Sequence, residues 1–255
     1  MRGAVPAIAL NTFREAIRDR VLYLLLVFAL VVLGTSRFLS LLTVGSEEKI
    51  IKDVGLAAIL LFGVLVAVFV GVSLVFKEIE KRTVLTLLAN PVRRWQFVVG
   101  KYLGLLLVLG ANTVLMTAVL SAVLLARGDR PWALLPAIAT IAVQLAVLSA
   151  FAVLFSSYTN SILSAVGTVA VYVAGHLSWS LDLLRNRVDS LAAKTACDVL
   201  HLLLPNLDRL NLHTAAVHDL PLPEGTLLWA VVYGVSYAAA IVVLACLVFE
   251  RREFA

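Results

Sequence analysis

Six long apolar runs constrain this chain more than any other feature. They occupy residues 21–44, 54–76, 102–126, 132–155, 162–181 and 227–249. A bilayer core about 30 Å thick is crossed at about 1.5 Å per helical residue, and each run exceeds the ~18 residues that mark a transmembrane helix. The apolar residues fall in blocks, without the alternation of a half-buried strand. Arg37 interrupts only the first run, near one end, where its side chain can snorkel to the interface. With 62% hydrophobic and 15% charged residues the chain does not read as a soluble domain. The expected fold is all-α: a polytopic membrane protein of six transmembrane helices, forming one domain over 1–255.

Orientation follows from lysine and arginine. Six spans put both termini on one side. If that side is the cytoplasm, the inner segments hold twelve basic and six acidic residues, and the outer ones nine and ten. The net charges are then +6 inside and −1 outside, which reproduces the total of +5. Basicity is thus explained by topology and calls for no nucleic-acid partner. Trp132, Trp179 and Trp229 fall at outer interfaces, and Tyr23, Tyr102 and Tyr158 at inner ones. Cys197 and Cys246 lie in different compartments and are not expected to pair.

Ahead of the first span, residues 7–20 read as an amphipathic interfacial helix. Leu10, Phe13 and Ile17 share one face, opposite Asn11, Arg14, Glu15, Arg18 and Asp19. Residues 45–53, 127–131 and 156–161 read as short loops. The longest outer segment, 182–225, contains a helix-like stripe that Pro205 should end. Its 44 residues are too few for an independent domain. His201, His213 and His218 lack the spacing of a paired metal motif, so no metal site is expected.

Residues 77–101, KEIEKRTVLTLLANPVRRWQFVVGK, form a polar island between the second and third spans. Six basic residues stand against two acidic ones. Ile79, Thr83 and Leu87 make a short helical stripe that Pro91 stops. The island thereby offers a compact basic docking surface. Its residue order, Glu78, Glu80, Thr83, Leu87, Leu88, Pro91, Arg93, Arg94, Gly100 and Lys101, resembles the first cytoplasmic loop of ABC exporter permeases of the second type, the ABC-2 family. The entry helix, the span count, the long outer segment and the ending Phe249–Phe254 extend the resemblance over the whole chain. Arg82 stands where many relatives carry glycine.

The resemblance implies a permease subunit in a bacterial inner membrane, dimeric with a second copy or a homologue. It implies that the island is a coupling loop docked on a separate ABC ATPase. ATP and Mg would then belong to that partner, this chain itself binding no cofactor and holding no catalytic residue. The chain has no G-x-x-x-x-G-K-[ST] phosphate loop. Gly63, Ala67 and Gly71 in the second span, and Thr168, Tyr172 and His176 in the fifth, are candidates for helix packing or for the translocation path. No paired acids stand at the centre of any span, which argues against a membrane-embedded enzyme. A non-transporting scaffold or regulatory membrane subunit is the alternative reading. Cargo is left open among a lipid, a hydrophobic drug, a peptide or a polymer.

Overall fold

The computed structural model describes residues 4–40, 47–80, 93–178, 194–195 and 204–251, with the backbone alone at 36–40 and 74–80. Among them the chain is helical, with no strand. Helix α1 spans Ala4–Ile17, α2 Arg20–Ser40, α3 Glu47–Glu80 and α4 Arg94–Leu125. A 3-10 turn at Pro131–Leu134 leads into α5, Leu135–Tyr158, and a tight turn into α6, Ser161–His176. A second 3-10 turn, Asp208–Leu210, precedes the short α7, His213–Val217, and then α8, Thr226–Glu250.

Among the described residues four helices are long and apolar enough to cross a membrane: those within Glu47–Ser73, Arg94–Leu125, Pro131–Tyr158 and Thr226–Glu250. Two shorter apolar helices, Arg20–Thr35 and Ser161–His176, accompany them. A polytopic membrane protein results. At 34 residues α3 is about 51 Å long, so it overshoots a bilayer core at its ends. The loop expected over 45–53 is a correction: α3 is already helical from Glu47. Glu47 and Glu48 in its first turn complement the helix dipole, and Glu48 meets Lys52 one turn on.

Helix α5 is the hub, packed against α3, α4, α6 and α8. Apolar all round, it suits a helix enclosed by others. Helix α8 buries Ala230, Gly234, Ala238, Val242 and Ala245, a stripe small enough to let backbones approach. A Cβ at Gly234 would run into Val143 on α5. The opposite side of α8 exposes Leu228, Val232, Val235, Val243 and Leu247, as lipid-facing residues would be.

The bundle has two ends. At the proximal end α3 stops, α4 starts, α8 finishes and α1 docks. At the distal end α3 begins, α4 turns into α5, and residues 204–225 fold over. Trp132 and Trp229 are exposed distally and Tyr158 proximally, whereas the exposed Tyr23 lies beside Val108, Ala111, Asn112 and Leu115, near the middle of α4. Tyr102 instead turns inward, 9% exposed, with its hydroxyl donating to the Ala146 carbonyl at 3.2 Å. Trp179 lies outside the described residues.

Candidate functional site

The proximal end is where the polar island joins the bundle. Glu78 and Glu80 belong to the last turn of α3. Thr83, Leu87, Leu88 and Pro91 lie outside the described residues. Arg93 and Arg94, adjacent in sequence, part company at the start of α4. Arg93 is exposed, and its backbone N–H donates to Gln96 Oε1 at 3.0 Å, half of a capping box that fixes where the helix begins. Arg94 turns toward the bundle, and its Nη1 donates to the Glu250 carbonyl at 2.9 Å. That carbonyl belongs to the last turn of α8, where no intrahelical donor is available and the dipole favours a cation. One turn deeper, Phe97 and Phe249 stack with centroids 5.5 Å apart, 4% and 0% exposed. The start of α4 and the finish of α8 are thus joined by a charged cap and a buried aromatic pair.

Helix α1 completes this end. Its buried residues are Ala9, Thr12 and Ala16, a small face that the expected stripe of Leu10, Phe13 and Ile17 did not anticipate. Small residues here meet small residues on α4. A Cβ at Gly100 would stand 2.7 Å from Ile8, and one at Gly104 2.5 Å from Thr12 Cβ and 2.8 Å from the Ala9 carbonyl. The matching four-residue steps make α1 and α4 run side by side in the same direction. Glu15 reaches the buried Lys101 at 3.6 Å across the seam. Helix α1 therefore has three faces: a small one on α4, an exposed apolar one at Leu10 and Ile17, and an exposed polar one at Asn11, Arg14 and Arg18.

At the distal end an ionic network ties α3 to the turns around it. Lys52, 1% exposed, donates to both oxygens of Asp219 at 3.2 and 3.1 Å and meets Glu48 at 2.6 Å. Asp219 adopts a left-handed backbone conformation (φ 51°), uncommon for a residue other than glycine. Arg127 pairs with Glu47, and this hydrogen bond holds the guanidinium pKa above its ordinary value. His213 Nε2 lies 2.9 Å from Asp53.

Beside the network, residues 205–210 sink between helices. The Leu207 N–H donates to the Gly175 carbonyl of α6 at 3.1 Å, and Gln144 Nε2 of α5 donates to the Leu210 carbonyl at 2.8 Å. The Asn206 N–H donates to the Tyr233 hydroxyl of α8 at 2.9 Å. Leu207 and Leu210 are 1% and 0% exposed. Gln144 lies about 14 Å along α5 from Leu135. Irregular backbone is tolerable between helices because α5, α6 and α8 satisfy the Leu210 carbonyl and the Leu207 and Asn206 N–H groups.

The path candidates separate. Gly63 and Gly71 face Leu145, Leu105 and Ala152 on α4 and α5, and Ala67 is 0% exposed, so this stripe sits inside the bundle. Thr168 is buried and donates to its own helix at the Ser164 carbonyl, 2.7 Å away. Tyr172 and His176 are half-buried, their rings 4.5 Å apart, and His176 Nδ1 lies 3.1 Å from the Tyr172 carbonyl. Among the described residues no three His, Cys, Asp or Glu residues converge on a metal position. The Arg94 cap, the buried Lys52 and the seat for residues 205–210 join residues distant in sequence, and no local pattern announces them.

A family model described as "ABC-2 family transporter protein" matches residues 6–254, nearly the whole chain. No curated protein matches it.

Proposed function

Because the chain belongs to the ABC-2 family of transporter proteins, we propose that it is the permease subunit of an ABC exporter. Two copies, or one copy and a homologue, surround a path across the bacterial inner membrane. The proximal end faces the cytoplasm, with both termini, and the island 77–101 docks on a separate ATPase that binds ATP and Mg. The proximal architecture carries this reading. A basic sequence joins two membrane-crossing helices and ends at the exposed Arg93, and the second of those helices carries the docked amphipathic α1. Such a loop delivers a push from a soluble partner to α3 and α4 together. Leu87, Leu88 and the exposed Arg93 supply apolar and cationic contacts suited to an acidic-rimmed groove.

The test is purification of the tagged chain from its native membranes, with ATP hydrolysis measured in the isolated complex. An ATPase subunit should co-purify, and Leu87→Ala or Arg93→Ala should lower hydrolysis or its response to cargo severalfold. Hydrolysis indifferent to both changes would contradict a coupling role and favour a scaffold.

A further inference from the structure

Arg94 reads in sequence as one half of a docking pair, yet its guanidinium is turned onto α8. The coupling loop therefore ends on a helix start that is fastened to the finish of α8 by the Arg94–Glu250 carbonyl bond and the Phe97–Phe249 stack. A third contact, from Cys246 Sγ to the Trp95 carbonyl at 3.9 Å, lies on the same seam. The other end of this 25-residue helix holds the buried distal segment. There the Tyr233 hydroxyl accepts from the Asn206 N–H, and Leu210 packs against the Gly234 position, where a Cβ would come within 3.5 Å. A straight helix is stiff along its axis, and close packing passes displacement rather than absorbing it.

We propose that α8 is a transmitting rod, with Arg94 as the positioning residue that engages it: movement of the coupling loop is passed through the Arg94–Glu250 clasp to α8 and from Tyr233 to residues 205–210. This proposal rests on the coupling role assigned above and adds a route through the bundle. Arg94 on this account acts on the permease itself, while Arg93 faces the partner. The chemistry favours arginine because a guanidinium presents several donors to a helix terminus.

The experiment uses the intact complex in nanodiscs, with Cys197→Ser and Cys246→Ser removing native thiols, the second keeping a donor on the seam, and Arg209→Cys placing a thiol in the distal 3-10 turn. Arg209 is exposed, so its thiol reports on the turn without disturbing the core. Labelling by a membrane-impermeant maleimide is timed without nucleotide and after trapping with ATP and vanadate. The parent should show at least a threefold change in rate. Arg94→Met, which keeps the apolar stem and removes the donors, should bring that ratio close to one while ATPase binding and trapped nucleotide persist. Arg94→Lys should keep at least half of the effect. Tyr233→Phe, a mild change at the other end of the rod, should also flatten it. A purely structural Arg94 would alter the melting temperature and leave the ratio intact. An unchanged ratio in Arg94→Met would overturn the proposal, as would a parent that traps nucleotide without altering the label. Absence of any ATPase from the complex would instead refute the coupling reading beneath it.

Discussion

Two glycine-to-alanine substitutions should have opposite signs, and the comparison isolates how residues 205–210 are held. Gly110 lies on the exposed surface of α4, where an added Cβ would meet nothing within 4 Å. A Cβ at Gly175, in contrast, would stand 2.8 Å from Leu207 Cγ and Cδ1 and 2.8 Å from the Pro205 carbonyl. Alanine gains about 0.8–1 kcal/mol over glycine in a helix interior. At Gly110 nothing opposes that gain, so Gly110→Ala should stabilise by up to about 1 kcal/mol. At Gly175 normal carbon contacts of about 3.5–4.0 Å require the segment to retreat by about 1 Å. Leu207 can shift its side chain, but the Pro205 carbonyl is backbone. Overpacking of this kind costs about 1–3 kcal/mol, and stretching the 3.1 Å Leu207–Gly175 bond adds about 1 kcal/mol. Net destabilisation of about 1–3 kcal/mol should remain for Gly175→Ala. Equilibrium unfolding in mixed detergent micelles, followed by tryptophan fluorescence, measures both. Equal shifts for the two variants, or a stabilised Gly175→Ala, would refute the close approach.

Three further outcomes follow from the same contacts. Gly104→Val should push α1 off α4, because even a single Cβ there meets Thr12 at 2.5 Å and the Ala9 carbonyl at 2.8 Å; faster proteolysis within residues 4–17 is the readout. Lys52→Met should destabilise by about 1.5–3 kcal/mol, the range for hydrogen bonds to charged groups. The figure stays below the ~3–5 kcal/mol for orphaning a buried charge, since Glu48 and Asp219 remain 44% and 56% exposed and can turn to water; unfolding in micelles checks it. Gln144→Leu leaves the Leu210 carbonyl without its donor and should cost about 1–3 kcal/mol. Thiol labelling at residue 209 should then accelerate.

How much of the fold is legible in the sequence depends on how local the signal is. The apolar runs at 54–76, 102–126, 132–155 and 227–249 fall within helices long enough to span, since length and hydropathy are properties of consecutive residues. Boundaries are less legible: charge makes 45–53 look like a loop, although Glu47, Glu48 and Lys52 begin a helix. Helix α1 is visible as amphipathic, but its docking face is not, because alanine and threonine look neutral until Gly100 and Gly104 appear opposite them. Tyr102 and Lys101 look like interface residues and are buried by packing. Arg94 is expected at a partner surface beside Arg93, and only the return of α8 156 residues later supplies the carbonyl that claims it.

The sidedness of residues 77–101 tests the account most directly, since an ATPase-driven loop has to lie in the cytoplasm. With Cys197 and Cys246 removed and a lone thiol at position 90, a membrane-impermeant maleimide should leave intact cells unlabelled and react once they are permeabilised. Labelling at 90 in intact cells would contradict the account.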